Sequence, residues 1–267
     1  MSKKSEKESF SLKGGKKFYI FPISDLHVGN PSWNSEYFKF WQELWKKTRT
    51  KNKVVYLLGD LIDVSSTRIG TWEWDMRVDE QLTTIKHLLK PCRKYVRFMV
   101  SGNHDSRPKK DYNLDLSKIM AEELNVPYHP DDFYDKLYIE DKCLTVYGKH
   151  GTKFSSKKNL AEKAFIEDME SNPDGDLCMQ GHNHYTSFFS KPYRTSNNLI
   201  RRRYFAFTGN YINYFGSYAR SKGMNLTPEG FLRITVNKDL KLEGEEYHID
   251  RERPDLMNLN NLKQLKT

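Results

Sequence analysis

Phe18-Tyr19-Ile20-Phe21-Pro22-Ile23-Ser24-Asp25-Leu26-His27 is the stretch that decides the fold: a short apolar run of strand type that ends in a carboxylate and an imidazole two positions apart. The pattern then recurs along the chain. Val54-Val55-Tyr56-Leu57-Leu58 runs into Gly59-Asp60, and Val96-Arg97-Phe98-Met99-Val100 leads to Gly102-Asn103-His104-Asp105. Leu144-Thr145-Val146-Tyr147 precedes His150-Gly151, and the shorter Leu177-Cys178-Met179 precedes Gly181-His182-Asn183-His184. A lone Asp-x-His or Gly-Asp pair arises by chance, so the order and the strand-end setting are what carry weight. Polar groups at strand ends, beside glycines that let the backbone turn, converge on one edge of a sheet.

Between these strands the sequence predicts helices. Residues 33–47 place Tyr37, Phe40, Trp41, Leu44 and Trp45 at helical spacing, the stripe of a helix packed on a sheet. Further helices are expected over residues 80–89, ended by Pro91, over 114–124 and over 157–170. Beyond Tyr185 the pattern turns β-rich, with strands at 186–189, 204–207 and 231–236 and a basic loop joining the first two. This is a layered α/β fold. Residues 18–250 read as one domain, with insertions near 64–79 and 106–136 that would cap the sheet edge, a flexible basic tail over 1–17 and a polar tail over 251–267.

Composition excludes some classes. The chain has 267 residues, 37% hydrophobic and 30% charged, which is ordinary for a soluble protein, and its longest apolar run falls short of a spanning helix. The basic N-terminus is not followed by an apolar stretch, so no membrane partner and a cytoplasmic location are expected. Cys92, Cys143 and Cys178 lack metal spacing and read as reduced thiols.

The net charge of +9 is concentrated. Residues 1–17 hold six lysines against Glu6 and Glu8, and residues 191–203 hold Lys191, Arg194, Arg201, Arg202 and Arg203 with no acid. Beside a phosphate-cleaving centre such a cluster would attract a polyanion; the bland reading is a solvated hairpin tip.

Imidazoles and carboxylates without thiolates suit borderline to hard divalent ions. In this respect the chain resembles the calcineurin-like metallophosphoesterases, whose signature is DxH, GD, GNH[DE], H and GHxH in that order; all five elements are present from Asp25 to His184. The resemblance implies a four-layer α/β/β/α sandwich of two mixed sheets flanked by helices. It also implies two divalent ions, manganese first, with iron, zinc, nickel or magnesium as alternatives. One would be held by Asp25, His27, Asp60 and His184 and the other by Asp60, Asn103, His150 and His182, the Asp60 carboxylate bridging. His104 would then face the substrate as general acid or transition-state stabiliser, oriented by Asp105.

The signature covers monoesters, diesters and pyrophosphates alike. Protein Ser/Thr phosphatases of the superfamily carry GDxVDRG and GNHE, whereas this chain has Gly59-Asp60-Leu61-Ile62-Asp63-Val64-Ser65 and ends its third segment in Asp105. DNA-repair-exonuclease-type phosphodiesterases use that Asp form. With the focused basic charge, this makes hydrolysis of phosphodiester bonds in nucleic acid the expected activity, with Arg68, Arg107, Arg201, Arg202 and Arg203 as substrate contacts. A small-molecule phosphodiesterase acting on cyclic nucleotides or dinucleotides, a phosphomonoesterase, and a binding protein without turnover are the alternatives.

Overall fold

The computed structural model describes residues 9–12, 17–64, 75–152, 155, 157–170, 175–194, 198, 200–213 and 230–248. Arg68, most of the expected cap at 64–79 and the tail at 251–267 lie outside these residues.

Each apolar run preceding a motif forms a strand. They are β2 (Phe18–Ile23), β3 (Lys53–Leu58), β4 (Val96–Val100), β7 (Lys142–Lys149) and β8 (Leu177–Gln180). The others are β1 (Ser9–Phe10), β5 (Tyr128–His129), β6 (Asp132–Ile139), β9 (Thr186–Arg194), β10 (Ile200–Asn210), β11 (Gly230–Val236) and β12 (Leu242–His248). Two mixed sheets result. One runs β1-β6-β7-β8-β10-β9 and the other β12-β11-β2-β3-β4-β5, and they are joined where Gly209 of β10 pairs with Phe231 of β11. Within the first, β7, β8 and β10 are parallel; within the second, β2 to β5 are parallel.

Three apolar clusters separate four layers. Between the sheets, Ile20, Val54, Tyr56 and Leu58 meet Phe133, Leu137, Val146 and Met179. On the outer face of the second sheet lie α1 (Ser35–Lys47), α2 (Val78–Leu89) and α4 (Leu116–Leu124). On the outer face of the first, α5 (Lys158–Glu170) sets Ala161, Phe165 and Met169 against Tyr147, Cys178, Phe205 and Phe207. This is the expected α/β/β/α sandwich. Burying both faces of each parallel region explains why its strands are continuously apolar rather than alternating.

Three expectations need correcting. Residues 106–136 are not a cap: α4 lays Leu116, Met120, Ala121 and Leu124 into the core, β5 extends the second sheet and β6 begins the first. Only α3 (Arg107–Tyr112) stays near the sheet edge. Part of the N-terminal tail is built into the fold, since β1 pairs with Tyr138–Ile139 and Leu12 is buried; Phe10 and Leu12, two apart, match the strand period. Finally, Arg201, Arg202 and Arg203 lie in β10, and Lys191 and Arg194 in β9, not in a loop. Among the described residues no helix is long and apolar enough to cross a membrane.

Candidate metal centre

The C-terminal ends of β2, β3, β4, β7 and β8 deliver their motif residues to one crevice, the usual ligand position of a parallel sheet. Tight backbone turns aim the side chains. Asp25, His27, Asp60, His182 and His184 all adopt left-handed conformations, with φ of 51°, 49°, 49°, 68° and 59°. For residues with a Cβ this region is uncommon, and such strain gathers at functional sites. The turns after β2 and β3 hold each other, since Asp25 N donates to Gly59 O (3.0 Å) and His27 N to Asp60 O (3.0 Å). A Cβ on Gly59 would sit 2.5 Å from the Gly102 amide nitrogen, so the Gly-Asp and Gly-Asn-His turns approach back to back only because both are glycine.

The side chains form two groups around Asp60. Its Oδ1 is fixed by His104 N at 2.7 Å, which leaves Oδ2 3.8 Å from His27 Nε2 and 3.1 Å from His150 Nε2. On one side, His184 Nε2 lies 3.3 Å from both His27 Nε2 and Asp25 Oδ1. On the other, His150 Nε2 lies 3.0 Å from Asn103 Oδ1, with His182 in the same cluster. His150 Nδ1 donates to Leu58 O at 2.8 Å, so Nε2 is the nitrogen that faces the centre. Ligands ~2.1 Å from one ion stand roughly 3.0–3.4 Å apart, so these N and O atoms fit divalent ions. All seven residues expected as ligands are brought together. A surrounding shell, not foreseen in the sequence, steadies them: Ser24 donates to Asp25, His182 N donates to Asp25 Oδ2 (3.0 Å), and Asn210 Nδ2 donates to His184 O (2.8 Å).

Electrostatics follow from this crowding. Burial alone would raise the Asp25 and Asp60 carboxyls, but hydrogen bonds and charge from the surrounding imidazoles hold both well below the usual range. Burial likewise disfavours an imidazolium at His150, yet the Asp60 carboxylate outweighs it and pushes His150 up to about 10. His182, half-buried and beside His150, falls to about 4.

His104 is oriented by a different residue from the one expected. Its Nδ1 is bonded to Asp63, which Asn30 Nδ2 also engages. Arg107 Nη2 stands 3.0 Å from His104 Nε2, and Arg107 Nη1 donates to Val64 O at 3.0 Å. Since a guanidinium only donates, Nε2 accepts and Nδ1 carries the proton toward Asp63. Asp105 instead points inward, accepting from Ile62 N (3.1 Å) and Gly102 N (3.0 Å); burial and the nearby Asp60 charge push it up to about 7. The signal for Asp63 was present in Gly59-Asp60-Leu61-Ile62-Asp63, three residues after Asp60.

The structure brings Arg107 to the centre and leaves Arg201, Arg202 and Arg203 out. In β10, Phe207 pairs with Gln180 beside the site, whereas Tyr204 pairs with Leu177 at the opposite edge, and the three arginines precede Tyr204. Arg203 is buried, donating to Met169 O (2.9 Å) with its guanidinium 4.5 Å from the Tyr193 ring. Tyr211 is fully buried against Phe38 and Phe231.

A family model described as calcineurin-like phosphoesterase matches residues 19–209. No curated protein matches the chain. Among solved structures, a predicted phosphoesterase from Streptococcus pneumoniae is 15% identical, with 87% of this chain and 98% of that one covered and a TM-score of 0.38. The NAD nucleotidase of Haemophilus influenzae is 13% identical, with 94% and 56% covered and a TM-score of 0.44. A serine/threonine phosphatase from Saccharomyces cerevisiae is 13% identical, with 90% and 83% covered and a TM-score of 0.38. Likeness at these levels says nothing about substrate.

Proposed function

The chain belongs to the calcineurin-like phosphoesterase family, and on that premise we propose that it is a two-metal phosphodiesterase whose substrate is nucleic acid. The observation that carries this is Asp60, with one oxygen pinned by His104 N and the other between two imidazole groups. Asp25, His27, Asp60 and His184 would hold one ion, and Asp60, Asn103, His150 and His182 the other. Two such ions supply neutralisation of phosphoryl charge and a water activated near neutral pH.

The remaining chemistry falls to side chains. His104, with Nδ1–H held by Asp63, takes a proton from solvent at Nε2 once Arg107 has turned away and delivers it to the leaving oxygen, Asp63 stabilising the imidazolium in between. Arg107 turns from Nε2 to a phosphoryl oxygen when substrate enters. Support for nucleic acid comes from the Asp form of the third segment, from Arg107 on α3 beside the centre, and from the basic excess of the chain. A phosphomonoester is the competing substrate, because one arginine beside the centre also suits a terminal phosphoryl group.

The test is hydrolysis of bis-p-nitrophenyl phosphate, p-nitrophenyl phosphate and a DNA oligonucleotide with added manganese. The wild type should prefer diesters, and His104→Ala should retain both ions while losing about 10²-fold or more in kcat. A preference for the monoester, or near-normal turnover in His104→Ala, would overturn the reading.

A further inference from the structure

The cations expected at the metal centre stand instead at the far end of the hairpin that begins there. His184 lies two residues before β9, and Asn210 closes β10 beside it. From Asn210 to Arg202 is eight residues of strand, about 26 Å at ~3.3 Å per residue. From Arg203 back to Ile200, among the described residues, β10 pairs with β9 alone beyond the end of β8, so the two strands leave the sheet as a ribbon. Its cross-strand pairs are Arg203 with Lys191, the like-charged one, Arg202 with Pro192, Arg201 with Tyr193 and Ile200 with Arg194.

Lys191, Arg194, Arg201 and Arg202 are exposed, on both faces of this ribbon, and residues 191–203 contain no acid. Ile200, 74% exposed, sits among them. Arg203 anchors the base by reaching under Tyr193 to the end of α5. Between ribbon and centre, the carboxylates Glu162 and Glu246 are engaged by Ser187 Oγ and by Phe188 N. Like charges concentrated on a two-stranded ribbon are unfavourable for folding, since cross-strand neighbours repel. They are complementary to a phosphate backbone.

We propose that this ribbon is a second binding surface, which docks the backbone of a nucleic acid strand whose scissile phosphate occupies the metal centre. It rests on the nucleic-acid reading given above. At ~3.4 Å per nucleotide of stacked strand, a gap of about 26 Å corresponds to about eight nucleotides, so only longer substrates reach both places. The ribbon thereby sets a length preference without touching the reacting atoms.

The experiment compares the full chain with Arg201→Ala/Arg202→Ala, Arg203 being kept for its buried role. Substrates are a single-stranded DNA of thirty nucleotides, one of four, and bis-p-nitrophenyl phosphate, each over a range of salt. Equilibrium binding of the thirty-mer is read separately by fluorescence anisotropy. The variant should bind the thirty-mer about tenfold more weakly at low salt, with the slope of log affinity against log salt reduced by about 1.4, as expected for two lost phosphate contacts. Its kcat/KM on the four-mer and the chromogenic diester should match wild type. Arg201→Lys/Arg202→Lys should keep the wild-type slope, since a phosphate contact needs charge rather than a fork.

Unchanged thirty-mer affinity and slope in the Ala variant, or equal losses on all three substrates, would overturn the proposal. Failure of the underlying reading looks different: wild type would hydrolyse the chromogenic diester but neither cut nor bind the thirty-mer, and the ribbon proposal falls with it. Binding of the thirty-mer without cleavage, lost in the Ala variant, would keep the docking surface and discard only the nuclease.

Discussion

The two ends of the β9–β10 hairpin hold polar side chains under opposite constraints. At its base, His184 has a left-handed backbone, its carbonyl is held by Asn210 and its ring nitrogen faces Asp25 and His27. At its far end, Arg201 and Arg202 stand in ordinary extended strand and project into solvent, with Arg202 Nη1 donating to Ser190 Oγ at 2.7 Å. Where the backbone is strained and every neighbour is committed, a side chain has one position and its chemistry follows from that position. Where the backbone is regular and the side chain free, charge supplies attraction but no geometry. The hairpin thus joins a site that discriminates atoms to a surface that discriminates only charge density.

The largest effect should come from the residue most tightly committed. Asp60→Asn keeps an oxygen for His104 N but turns an amide toward His150 or His27, so both ion positions weaken together and turnover should fall by about 10³-fold or more. Metal analysis beside kcat on a chromogenic diester decides it; two ions per chain and a near-normal rate would break the assignment of Asp60 as the bridge.

The same residue governs the pH dependence of metal uptake. His150 is held up to about 10 by the Asp60 carboxylate and must shed its proton to ligate, so apparent affinity should rise with pH between 6 and 9, with protons released on binding. His182, already neutral above about 4, contributes nothing in that window. Calorimetry in buffers of different ionisation enthalpy counts the protons. Proton uptake, or affinity flat across the window, would show that His150 is already neutral in the metal-free protein.

A smaller and more local contrast separates Asp63 from Asp105. Asp63→Asn still accepts from His104 Nδ1 but no longer stabilises its imidazolium, so kcat should fall by about 10²-fold with ion content intact. Asp105→Asn keeps only one good acceptor for Ile62 N and Gly102 N, so it should cost about 1–3 kcal/mol of stability while leaving kcat within about tenfold. An equal fall in kcat for a well-folded Asp105→Asn would restore Asp105 as the orienting residue.

That pair also marks where the sequence stops being legible. The seven residues that the resemblance names as ligands could be expected in one crevice because strand, glycine and polar residue recur in a fixed order, and a strand end has only one edge to face. Which carboxylate orients His104 depended on how two turns fold. The left-handed Asp60 swings Asp63 up beside the ring, while the adjacent Asp105 turns under the backbone. Similarly, the stripe of Leu116, Met120, Ala121 and Leu124 was visible as a helix, but not that its face would lie in the core rather than over the site. The Arg run gave its charge without saying which end of a strand it occupied; that needed the register of Tyr204 on Leu177 and Phe207 on Gln180.

The smallest predicted effect tests the ribbon from inside. Three consecutive arginines look equivalent in sequence, yet Arg203, next to the point where β10 leaves β8, reaches Tyr193 and Met169 O, while Arg201 and Arg202, further out along the ribbon, stay exposed. Arg203→Ala removes that bond and the aromatic packing of the guanidinium, and should cost about 1–3 kcal/mol, a fall of several degrees in Tm. Arg201→Ala and Arg202→Ala should not lower Tm, and relief of charge repulsion would raise it slightly. Their charges would then be maintained for something other than the fold, which is the condition the docking surface requires. If all three lower Tm alike, the ribbon is held together by its arginines, and its positive charge is a by-product of packing rather than a contact for phosphate.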